Sequence, residues 1–409
     1  MNQRRVAIIG TGMISHRHMT IYSKMPECKI VAVAEIDAAK LKAWAEKYGM
    51  DEKDCYTDFR EMLKRDDIDW VDVCVHNNLH APIAIEVMKA GFPCYSEKPM
   101  AGSYADCVKM MDAAKKLDKK LGIQISSIFN LQTRMAKQMV ENGDLGRVYH
   151  GRSCYYGNLG RPGVDDTMFS KDFSNKLYGG HGVLFDLGIY HISQMLFILG
   201  LPELESVYGK TYHEIPLNPR LMEGRAFEVE EFAVGMASFK GNLSLEISEA
   251  WALYHMEPAT SWITGSTGSI RMTNVDCGGG DTARPAGAAP RAPEQQQQIY
   301  YNGTVGGKRI ESTLNPYANE KLELKFNPEM QIYNCNQAHW LAYINGVLTD
   351  ETRYNTPLIA SNTALLSEGI FLSQQLGRSV TADEIRAMSV SNAVWDQETP
   401  YGVFHYEEP

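Results

Sequence analysis

The sequence has few of the features that mark exported, membrane-bound or metal-dependent proteins. Its eight cysteines are scattered through 409 residues, without a CxxC pair or a His/Cys spacing that would assemble a zinc site. No apolar run approaches the roughly 18 residues needed to span a bilayer. Residues 1–5 lead directly into the strand-like residues 6–9, without a signal-peptide pattern. We therefore expect a cytoplasmic protein with reduced thiols, no bound metal and no membrane partner.

An excess of positive charge is also lacking. The chain has 40 Lys and Arg against 50 Asp and Glu, a net charge of -10, so it has no general attraction for nucleic acid phosphates or anionic lipids. Its composition, with 44% hydrophobic and 22% charged residues, is typical of a globular protein. A chain of this length usually divides into two hydrophobic cores. We expect two domains and no nucleic acid partner.

The pattern of hydrophobic residues changes near residue 128. Before it, short apolar strands alternate with amphipathic helices, which is typical of βαβ units in a parallel sheet. After it, longer segments alternate apolar and polar residues, as antiparallel strands with one buried face do. We predict an α/β Rossmann domain at 1–127 and an α+β domain with a large, mostly antiparallel, open-faced sheet at 128–409.

Individual elements can be predicted within this outline. Residues 277–294, rich in Gly, Pro and Ala, should form an exposed loop, either a functional lid or a disordered segment. The predicted strands are 6–9, 30–35, 70–75, 93–96, 122–126, 229–239 and 242–248, and the predicted helices include 38–48, 104–116 and 182–199.

A glycine turn follows the first strand directly. Glycines here let the backbone approach a pyrophosphate held at a helix N-terminus, although a lone GxG also occurs in tight turns for steric reasons alone. The third glycine position of the dinucleotide fingerprint is Ser15. We predict that the turn binds a dinucleotide through Gly10, Thr11, Gly12, Met13 and Ile14.

Glu35 stands at the end of the second strand, 25 residues beyond Gly10. A carboxylate there can accept hydrogen bonds from the adenosine ribose hydroxyls and would repel a 2′-phosphate. No arginine follows it in Ile36 and Asp37. We therefore predict NAD as the cofactor, with NADP less favoured.

Two further turns make this interpretation specific. Asn77-Asn78-Leu79-His80 follows the third apolar strand, and Glu97-Lys98-Pro99 follows the next one. Together with the glycine turn, these motifs resemble the Gfo/Idh/MocA family, which includes glucose-fructose oxidoreductase and inositol dehydrogenase. The resemblance implies that Lys98 is the catalytic proton acceptor and that His80 and Glu97 surround the nicotinamide and its ribose. Asn77 and Lys98 are further candidate cofactor-binding residues. Surroundings that disfavour its charge would make Lys98 a better base.

A second motif lies downstream, where Gly179-Gly180-His181-Gly182 precedes Asp186 and Tyr190. It resembles the family's glycine-rich entry to a helix bearing D-x-G-x-x-(H/Y). The i, i+4 spacing places Asp186 and Tyr190 on one helix face. By resemblance, Asp186 orients the reacting hydroxyl and Tyr190 exchanges a proton with it. His181 and His191 are candidate substrate-binding residues or structural histidines.

The sequence also departs from the family pattern. An Asn-Arg pair common after the fifth strand is replaced by residues 126–129, Ser-Ser-Ile-Phe, and His76 stands where a small residue or proline is usual. The identity of the sugar or cyclitol therefore cannot be transferred from a known relative. The absence of an arginine clamp suggests a neutral or weakly charged substrate.

Three functions are compatible with these residues. The first is an NAD-dependent oxidoreductase that moves a hydride between nicotinamide and a secondary hydroxyl of a sugar, glycoside or cyclitol. The second is an NAD-dependent glycosidase acting by transient C3 oxidation and elimination. The third is a non-enzymatic sugar- or nucleotide-sensing regulator on the same fold. By analogy with relatives, we expect a homodimer or homotetramer.

Overall fold

The computed structural model describes residues 3–165, 170, 173–255, 259–273, 298–316, 318, 336–348 and 354–407. The predicted loop at 277–294 lies outside these ranges. No helix in the described part of the chain has the length and apolar character needed to cross a membrane. Five of the six described cysteines are buried.

A six-stranded parallel sheet forms the N-terminal part. Its strand order is β3-β2-β1-β4-β5-β6, the doubly wound arrangement of a Rossmann domain, and this confirms the predicted fold class. The sequence predicted five of its strands to within two or three residues at each end and missed β3, which has two residues. The strands are β1 Arg4–Ile9, β2 Cys28–Ala34, β3 Cys55–Tyr56, β4 Trp70–Val73, β5 Cys94–Ser96 and β6 Leu121–Ile123.

Five helices connect these strands. The helix that follows β2 begins where the Asp37 side chain accepts from two backbone N–H groups and ends at Gly49, which has a φ of 67°. The fifth helix is capped at its N-terminus by Ser103, whose side chain accepts from the backbone N–H of Asp106. Such caps are readable from sequence, and the predicted bounds of both helices, 38–48 and 104–116, are confirmed. The helices are α1 Met13–Tyr22, α2 Ala38–Tyr48, α3 Phe59–Met62, α4 His80–Lys89 and α5 Tyr104–Lys116.

A single turn of helix at residues 126–129 carries the chain into α6, Leu131–Glu141, and then into a second sheet. The boundary at residue 127 stays a prediction, because this turn spans it without a linker. The second sheet has nine strands in the order β14-β13-β12-β11-β7-β10-β9-β8-β15. Among the described strands of this sheet, only the β7-β10 pair is parallel, which confirms a mostly antiparallel sheet.

Most strands of this sheet are long, and helices cover one of its faces. On that side Ile370 packs so closely that a Cβ on Gly209 would lie 2.8 Å from its Cγ2 atom. The strands are β7 Val148–Tyr156, β8 Leu204–Tyr212, β9 Phe232–Phe239, β10 Leu243–Ala250, β11 Ser261–Gly265, β12 Gly268–Met272, β13 Ile299–Val305, β14 Lys308–Leu314 and β15 Val380–Thr381.

The predicted helix at 182–199 is two helices. Leu187 separates α7, Val183–Asp186, from α8, Gly188–Ile198. Asp186 is therefore the last residue of one short helix and Tyr190 lies in the first turn of the next. The remaining described helices are α9 Asn336–Ile344, α10 Thr356–Leu376 and α11 Ala382–Met388, and a two-stranded hairpin of β16, Asp396–Thr399, and β17, Gly402–His405, follows.

Candidate active site

A cleft of about 590 Å³ runs along the carboxyl ends of the parallel strands. Ligands bind at this edge in doubly wound folds. Its lining includes most of the residues predicted for the cofactor and for catalysis: Gly10, Gly12, Met13, Ile14, Glu35, Asn77, Glu97, Lys98 and Asp186. The structure therefore brings the glycine turn and the Glu-Lys-Pro turn into one cavity with Asp186 of the second domain.

The glycine turn packs tightly against the protein at Gly10 and is open at Gly12. Gly10 has a φ of 94°, and a Cβ there would lie 2.2 Å from the carbonyl oxygen of Cys74. A Cβ on Gly12 would meet nothing within 4 Å, so the N-terminus of α1 faces open space of the kind a pyrophosphate needs. Ser15 fills the third glycine position, donating to the Gly12 carbonyl at 2.7 Å and accepting from Trp44 Nε1 at 3.0 Å.

Glu35 is fixed at the mouth of this turn. One carboxylate oxygen accepts from both the backbone N–H and the hydroxyl of Thr11 at 2.9 Å, and the other accepts from the backbone N–H of Asp37 at 3.1 Å. The same carboxylate thus orders the turn and faces the cleft. The open glycine turn and the carboxylate beside it fit a dinucleotide with its adenosine ribose at the end of β2.

Lys98 and Asp186 form an ion pair across the two domains. Lys98 Nζ lies 2.6 Å from Asp186 Oδ1 and also donates to the Asp186 backbone carbonyl at 3.1 Å. The other carboxylate oxygen of Asp186 accepts from Trp251 Nε1 at 2.9 Å. The Tyr190 ring lies beside the same ammonium, with its centroid 4.7 Å from Nζ. Lys98 therefore contacts both Asp186 and the Tyr190 ring, and Trp251 holds the far side of Asp186. Asp186 and Tyr190 belong to two separate helices, however, and not to one helix face as the i, i+4 spacing predicted.

The electrostatics of Lys98 differ from the expectation. Burial by itself would lower its pKa, but the charges of Asp186, Tyr190 and Glu97 and the hydrogen bond to Asp186 outweigh burial and raise the pKa above its ordinary value. The part of the expectation that rests on burial is wrong, because a carboxylate at hydrogen-bond distance compensates desolvation. The part that rests on the nicotinamide cation, which would also disfavour the charge, stays a prediction. Lys98 is an ammonium group in this state.

Asp186 is positioned by a carboxylate that sequence reasoning missed. Glu230, just before β9, accepts from the N–H groups of Gly182 at 2.8 Å and Leu184 at 3.1 Å, so it caps α7. A Cβ on Gly182 would lie 2.0 Å from the Glu230 carbonyl oxygen, which explains the glycine. Burial raises the pKa of Glu230 to about 7, against the lowering effect of these two N–H groups.

A series of buried, hydrogen-bonded polar side chains leads away from Lys98 into the parallel-sheet domain. His18 is held between two carboxylates, with Nδ1 2.7 Å from Asp72 and Nε2 2.7 Å from Glu97. Glu97 also accepts from the Lys98 backbone N–H at 2.9 Å, and Tyr22 donates to Asp72 at 2.8 Å. Because both acceptors are carboxylates, both imidazole nitrogens carry protons.

Burial shifts the pKa values of His18 and Glu97 toward the uncharged forms, but the contacts between opposite charges shift them further in the other direction. Burial alone would lower the pKa of His18, but the charge of Asp72 raises it well above its ordinary value. Burial alone would raise the pKa of Glu97, but the hydrogen bond and charge of His18 bring it below its ordinary value. The one available sequence signal was Asp72 within the otherwise apolar strand β4.

Cys74 lies beside His18 and Asp72 of this series. The possible ligand atoms of His18, Asp72 and Cys74 are all within 4.8 Å of one another, a grouping that the sequence spacing does not reveal. The imidazole and the carboxylate are already bonded to each other. Burial, and then the charge of Asp72, raise the pKa of the Cys74 thiol to about 12. The thiol is therefore protonated and weakly ligating.

The remaining predicted residues lie around the cleft in different ways. Asn77 lines it and donates to the Gly179 carbonyl at 3.0 Å. His80 is fully buried, with its ring nitrogens 2.6 Å from the Pro99 carbonyl and 3.1 Å from the Val75 carbonyl. It therefore joins the Asn-x-x-His turn to the Glu-Lys-Pro turn.

The two candidate substrate histidines are not among the residues that line the cleft. His181 stacks between Phe185 and Phe371, at centroid distances of 4.6 and 4.4 Å, and burial followed by the charge of Lys176 lowers its pKa to about 4. His191 is 2% exposed, and its Nδ1 lies 2.8 Å from Glu249. Both positions are those of packed structural histidines.

Comparison with known proteins agrees with this geometry. Among curated proteins, D-glucoside 3-dehydrogenase of Escherichia coli is 29% identical over 255 residues, 61% of this chain and 70% of that protein. Myo-inositol 2-dehydrogenase of Thermotoga maritima is 24% identical, over 66% of this chain and 75% of that protein. A glycosyl hydrolase family 109 protein of Shewanella woodyi is 26% identical, over 44% and 42%. Several other relatives align over about half of their own length.

Solved structures share the fold over nearly the whole chain. The aldose-aldose oxidoreductase of Caulobacter crescentus, complexed with glycerol, has a TM-score of 0.66 and 22% identity, covering 93% of this chain and 100% of that one. An oxidoreductase of Agrobacterium radiobacter, solved with NAD+, L-tartaric acid and magnesium, has a TM-score of 0.69 and 18% identity, covering 94% and 100%.

Two family models match consecutive parts of the chain. The model described as an oxidoreductase family with an NAD-binding Rossmann fold matches residues 4–125. The model of the GFO/IDH/MocA C-terminal domain matches residues 133–271. Together they cover more than half of the sequence, and the resemblance seen in its motifs is confirmed: the chain belongs to the Gfo/Idh/MocA family of NAD-binding oxidoreductases.

Proposed function

We propose that this enzyme is an NAD-dependent dehydrogenase that acts on a secondary hydroxyl of a sugar, glycoside or cyclitol, with Lys98, Asp186 and Tyr190 around the reacting hydroxyl. The observation that carries the proposal is the 2.6 Å contact between Lys98 Nζ and Asp186 Oδ1, in the cleft that also contains the glycine turn and Glu35. Relatives named as glucoside and inositol dehydrogenases support the substrate class.

The cofactor residues favour NAD over NADP. Gly10 to Ile14 would hold the pyrophosphate, and Glu35 would accept from the ribose hydroxyls. When bound, nicotinamide accepts the hydride from the carbinol carbon or returns it. Glu35, Asp37 and Lys40 line this end of the cleft, and Lys40 Nζ lies 3.8 Å from Asp37. A 2′-phosphate would therefore meet two carboxylates and one ammonium group, a net negative charge.

Lys98 and Asp186 would handle the hydroxyl proton. In carbonyl reduction, the Lys98 ammonium can donate a proton directly to the carbonyl oxygen. In alcohol oxidation the proton acceptor must be unprotonated, so either the Asp186 carboxylate would take the hydroxyl proton, or Lys98 would take it after releasing its own proton to solvent. Trp251, bonded to the far oxygen of Asp186, would keep the carboxylate oriented through both states. A proton donor or acceptor held at this distance typically contributes 10²–10⁴-fold to the rate.

The substrate pocket should accept a neutral molecule. Among the described residues that line the cleft there is no arginine, and the cation nearest Asp186, Lys98, is already neutralised by that carboxylate. A polyhydroxylated substrate without a charged group would be bound through hydrogen bonds and the Phe173 ring at the same end.

The test is a substrate screen with a matched lysine control. Purified protein is assayed with NAD and with NADP against free sugars, inositols and glycosides, following absorbance at 340 nm and aglycone release together. NADH formation with one substrate, lost in Lys98→Met and retained in Lys240→Met, would support the proposal. Lys240 is 63% exposed and pairs with Glu203. Full turnover in Lys98→Met would reject the assigned role.

A second candidate is suggested by the relative named glycosyl hydrolase family 109 protein. In this reaction C3 of a glycoside is oxidised, the acidified C2 proton is removed, and the glycosidic group leaves C1 with its bonding electrons. Water then adds at C1, and the hydride returns to C3. Aglycone release without net NADH would favour this route, and silence in both assays would favour a sugar- or nucleotide-sensing regulator.

We also propose a cytoplasmic homodimer or homotetramer assembled through the exposed face of the nine-stranded sheet. Tyr208 and Met236 pair directly across β8 and β9 and are 46% and 42% exposed, which places two large apolar side chains next to each other on that face. Light scattering of the purified chain should give twice or four times the 45.8 kDa chain mass, and a monomer would contradict the proposal.

A further inference from the structure

The C-terminal hairpin reaches the nucleotide cleft from the far end of the chain. In its ladder, Gln397 pairs with Phe404 and Glu398 pairs with Val403. Residues paired in an antiparallel ladder project from the same face, and Gln397 and Phe404 both line the cleft. Phe404 is 4% exposed, whereas Val403 on the opposite face is 47% exposed. One face of the hairpin therefore forms part of the cavity wall.

This face meets the cleft at the adenosine end. Phe59 of α3 and Thr57 line the same region as Gln397 and Phe404, near the carboxyl end of β2, where Glu35 and Asp37 stand. Lys98 instead follows β5, which lies on the opposite side of β1 in the sheet from β2 and β3, so the Lys98–Asp186 pair lies away from this region.

The hairpin is held firmly on this wall. The Arg60 guanidinium lies 3.8 Å from the centroid of the Phe404 ring, while Arg60 is itself paired with Asp58 at 2.7 Å. The rings of Phe59 and Tyr406 stack at 6.2 Å and 19°. A cation over one ring and a stacked aromatic pair beside it hold Phe404 in place against α3.

The segment that leads to the hairpin is anchored separately. The fully buried carboxylate of Asp106 accepts from the Ser391 hydroxyl at 2.5 Å and from the backbone N–H groups of Asn392 and Ala393 at 3.1 and 3.2 Å. The Val394 backbone N–H donates to the Asn78 carbonyl at 2.9 Å. These contacts within the chain hold the segment that leads to the hairpin against α5 and the Asn-x-x-His turn.

We propose that Gln397 and Phe404 form the adenine-binding wall of the cofactor site; the inference rests on the proposed dinucleotide function. Adenine is a flat aromatic base with ring nitrogens that accept hydrogen bonds. Phe404 and Phe59 supply aromatic surface. The Gln397 side-chain oxygen accepts from the Tyr406 hydroxyl at 2.7 Å, which leaves its amide N–H groups to donate to an adenine ring nitrogen. The matched family models end at residue 271, so this wall comes from outside the matched region.

The test measures binding of cofactor fragments to the full-length chain by calorimetry. AMP reports on the adenosine end, nicotinamide mononucleotide on the other end, and NADH on both. Phe404→Ala should weaken AMP and NADH by about tenfold or more, as loss of base stacking does, and leave nicotinamide mononucleotide unchanged. Val403→Ala, on the outer face of the same strand, should bind all three as the unmodified chain does.

A second variant keeps the proposal testable if Phe404→Ala loosens the hairpin. Gln397→Leu preserves side-chain size, removes the amide and should weaken AMP about fivefold. Unchanged AMP affinity in both variants would overturn the inference, as would an equal loss for AMP and nicotinamide mononucleotide. If the unmodified chain binds neither NADH nor AMP, the proposed dinucleotide function fails instead.

Discussion

The Lys98–Asp186 pair should show strong energetic coupling in the cofactor-free enzyme. Three variants test this: Lys98→Met, Asp186→Asn and the double variant. The side chains of Lys98 and Asp186 are only 12% and 9% exposed. Each single substitution therefore removes one charge and leaves the other buried without its partner, whereas the double variant removes both charges together.

The expected loss in the free energy of unfolding follows from the hydrogen bonds that each remaining charged group keeps in the single variants. After Lys98→Met, Asp186 keeps only the Trp251 hydrogen bond, and after Asp186→Asn, Lys98 keeps the backbone carbonyl at 3.1 Å. Breaking a buried pair at one partner typically costs about 3–5 kcal/mol in the free energy of unfolding. The double variant should cost less than the sum of the single variants by about 2–3 kcal/mol, because neither buried charge remains.

The pH dependence of this coupling has a definite sign. Because the pKa of Lys98 is raised in the fold, its stabilising contribution is fully present below its ordinary pKa of 10.5 and is lost only as the pH rises through the folded value. Between pH 6.5 and 9, Lys98 should therefore contribute a constant amount to the coupling. In Asp186→Asn, the pKa of Lys98 should fall, because burial is then less well compensated.

Urea unfolding of the four proteins measures the coupling, and ¹³C-methylated lysine NMR follows the pKa of Lys98. The matched control is Lys240→Met with Glu203→Gln, a lysine–carboxylate pair at 2.8 Å whose side chains are 63% and 60% exposed. Screening by solvent should leave that pair without measurable coupling. Additive effects at Lys98 and Asp186, or equal coupling in the two pairs, would refute the argument that burial makes the interaction strong.

Three further substitutions test other parts of the site. Burial raises the pKa of Glu230 to about 7 from 4.5. The stability that protonated Glu230 contributes is therefore fully present below pH 4.5, and about 3 kcal/mol of it is lost as the pH rises to 7. The free energy of unfolding of Glu230→Gln, measured with urea, should lack this dependence on pH. His18→Gln should lower the free energy of unfolding by about 3–5 kcal/mol, because two buried carboxylates lose their cation. Since the pKa of His18 is raised in the fold, this loss should be largest below pH 6.5 and should shrink as the pH rises through the folded value. A loss that does not depend on pH would contradict this. Glu35→Gln should raise the ratio of kcat/KM for NADP to that for NAD by about tenfold, since it removes a charge facing the 2′-position, and an unchanged ratio would argue against NAD selection by Glu35.

The parts of this fold that sequence predicted well are those with a local signal. The helices at 38–48 and 104–116 have caps beside them in sequence, at Asp37 and Ser103. The glycine turn and the Glu-Lys-Pro turn each occupy a few consecutive residues at strand ends. Their positions follow from where the strands stop, because the carboxyl ends of parallel strands share one edge of the sheet.

The parts that sequence missed depend on residues far apart in the chain. Trp251 reaches Asp186 across 65 residues, and Glu230 caps Leu184 across 46. Nothing near either residue in sequence indicates its partner. The break at Leu187 was missed for a related reason: residues 182–199 have an apolar helical pattern throughout, and periodicity alone does not reveal a division into two helices.

The long-range contacts also show that the two residues of the proposed catalytic pair come from different domains. Lys98 belongs to the parallel-sheet domain, and its position is set from behind by Glu97, which accepts from the Lys98 N–H and contacts His18. Asp186 belongs to the second domain, where Glu230 and Trp251 fix it. The 2.6 Å contact that would handle the substrate proton is thus also a contact between the two domains. A change in the charge of Lys98 or Asp186 during the reaction must therefore alter the strength of the contact between the domains. Substitution of a residue that only positions this pair, on either side of the cleft, should change turnover and domain stability together.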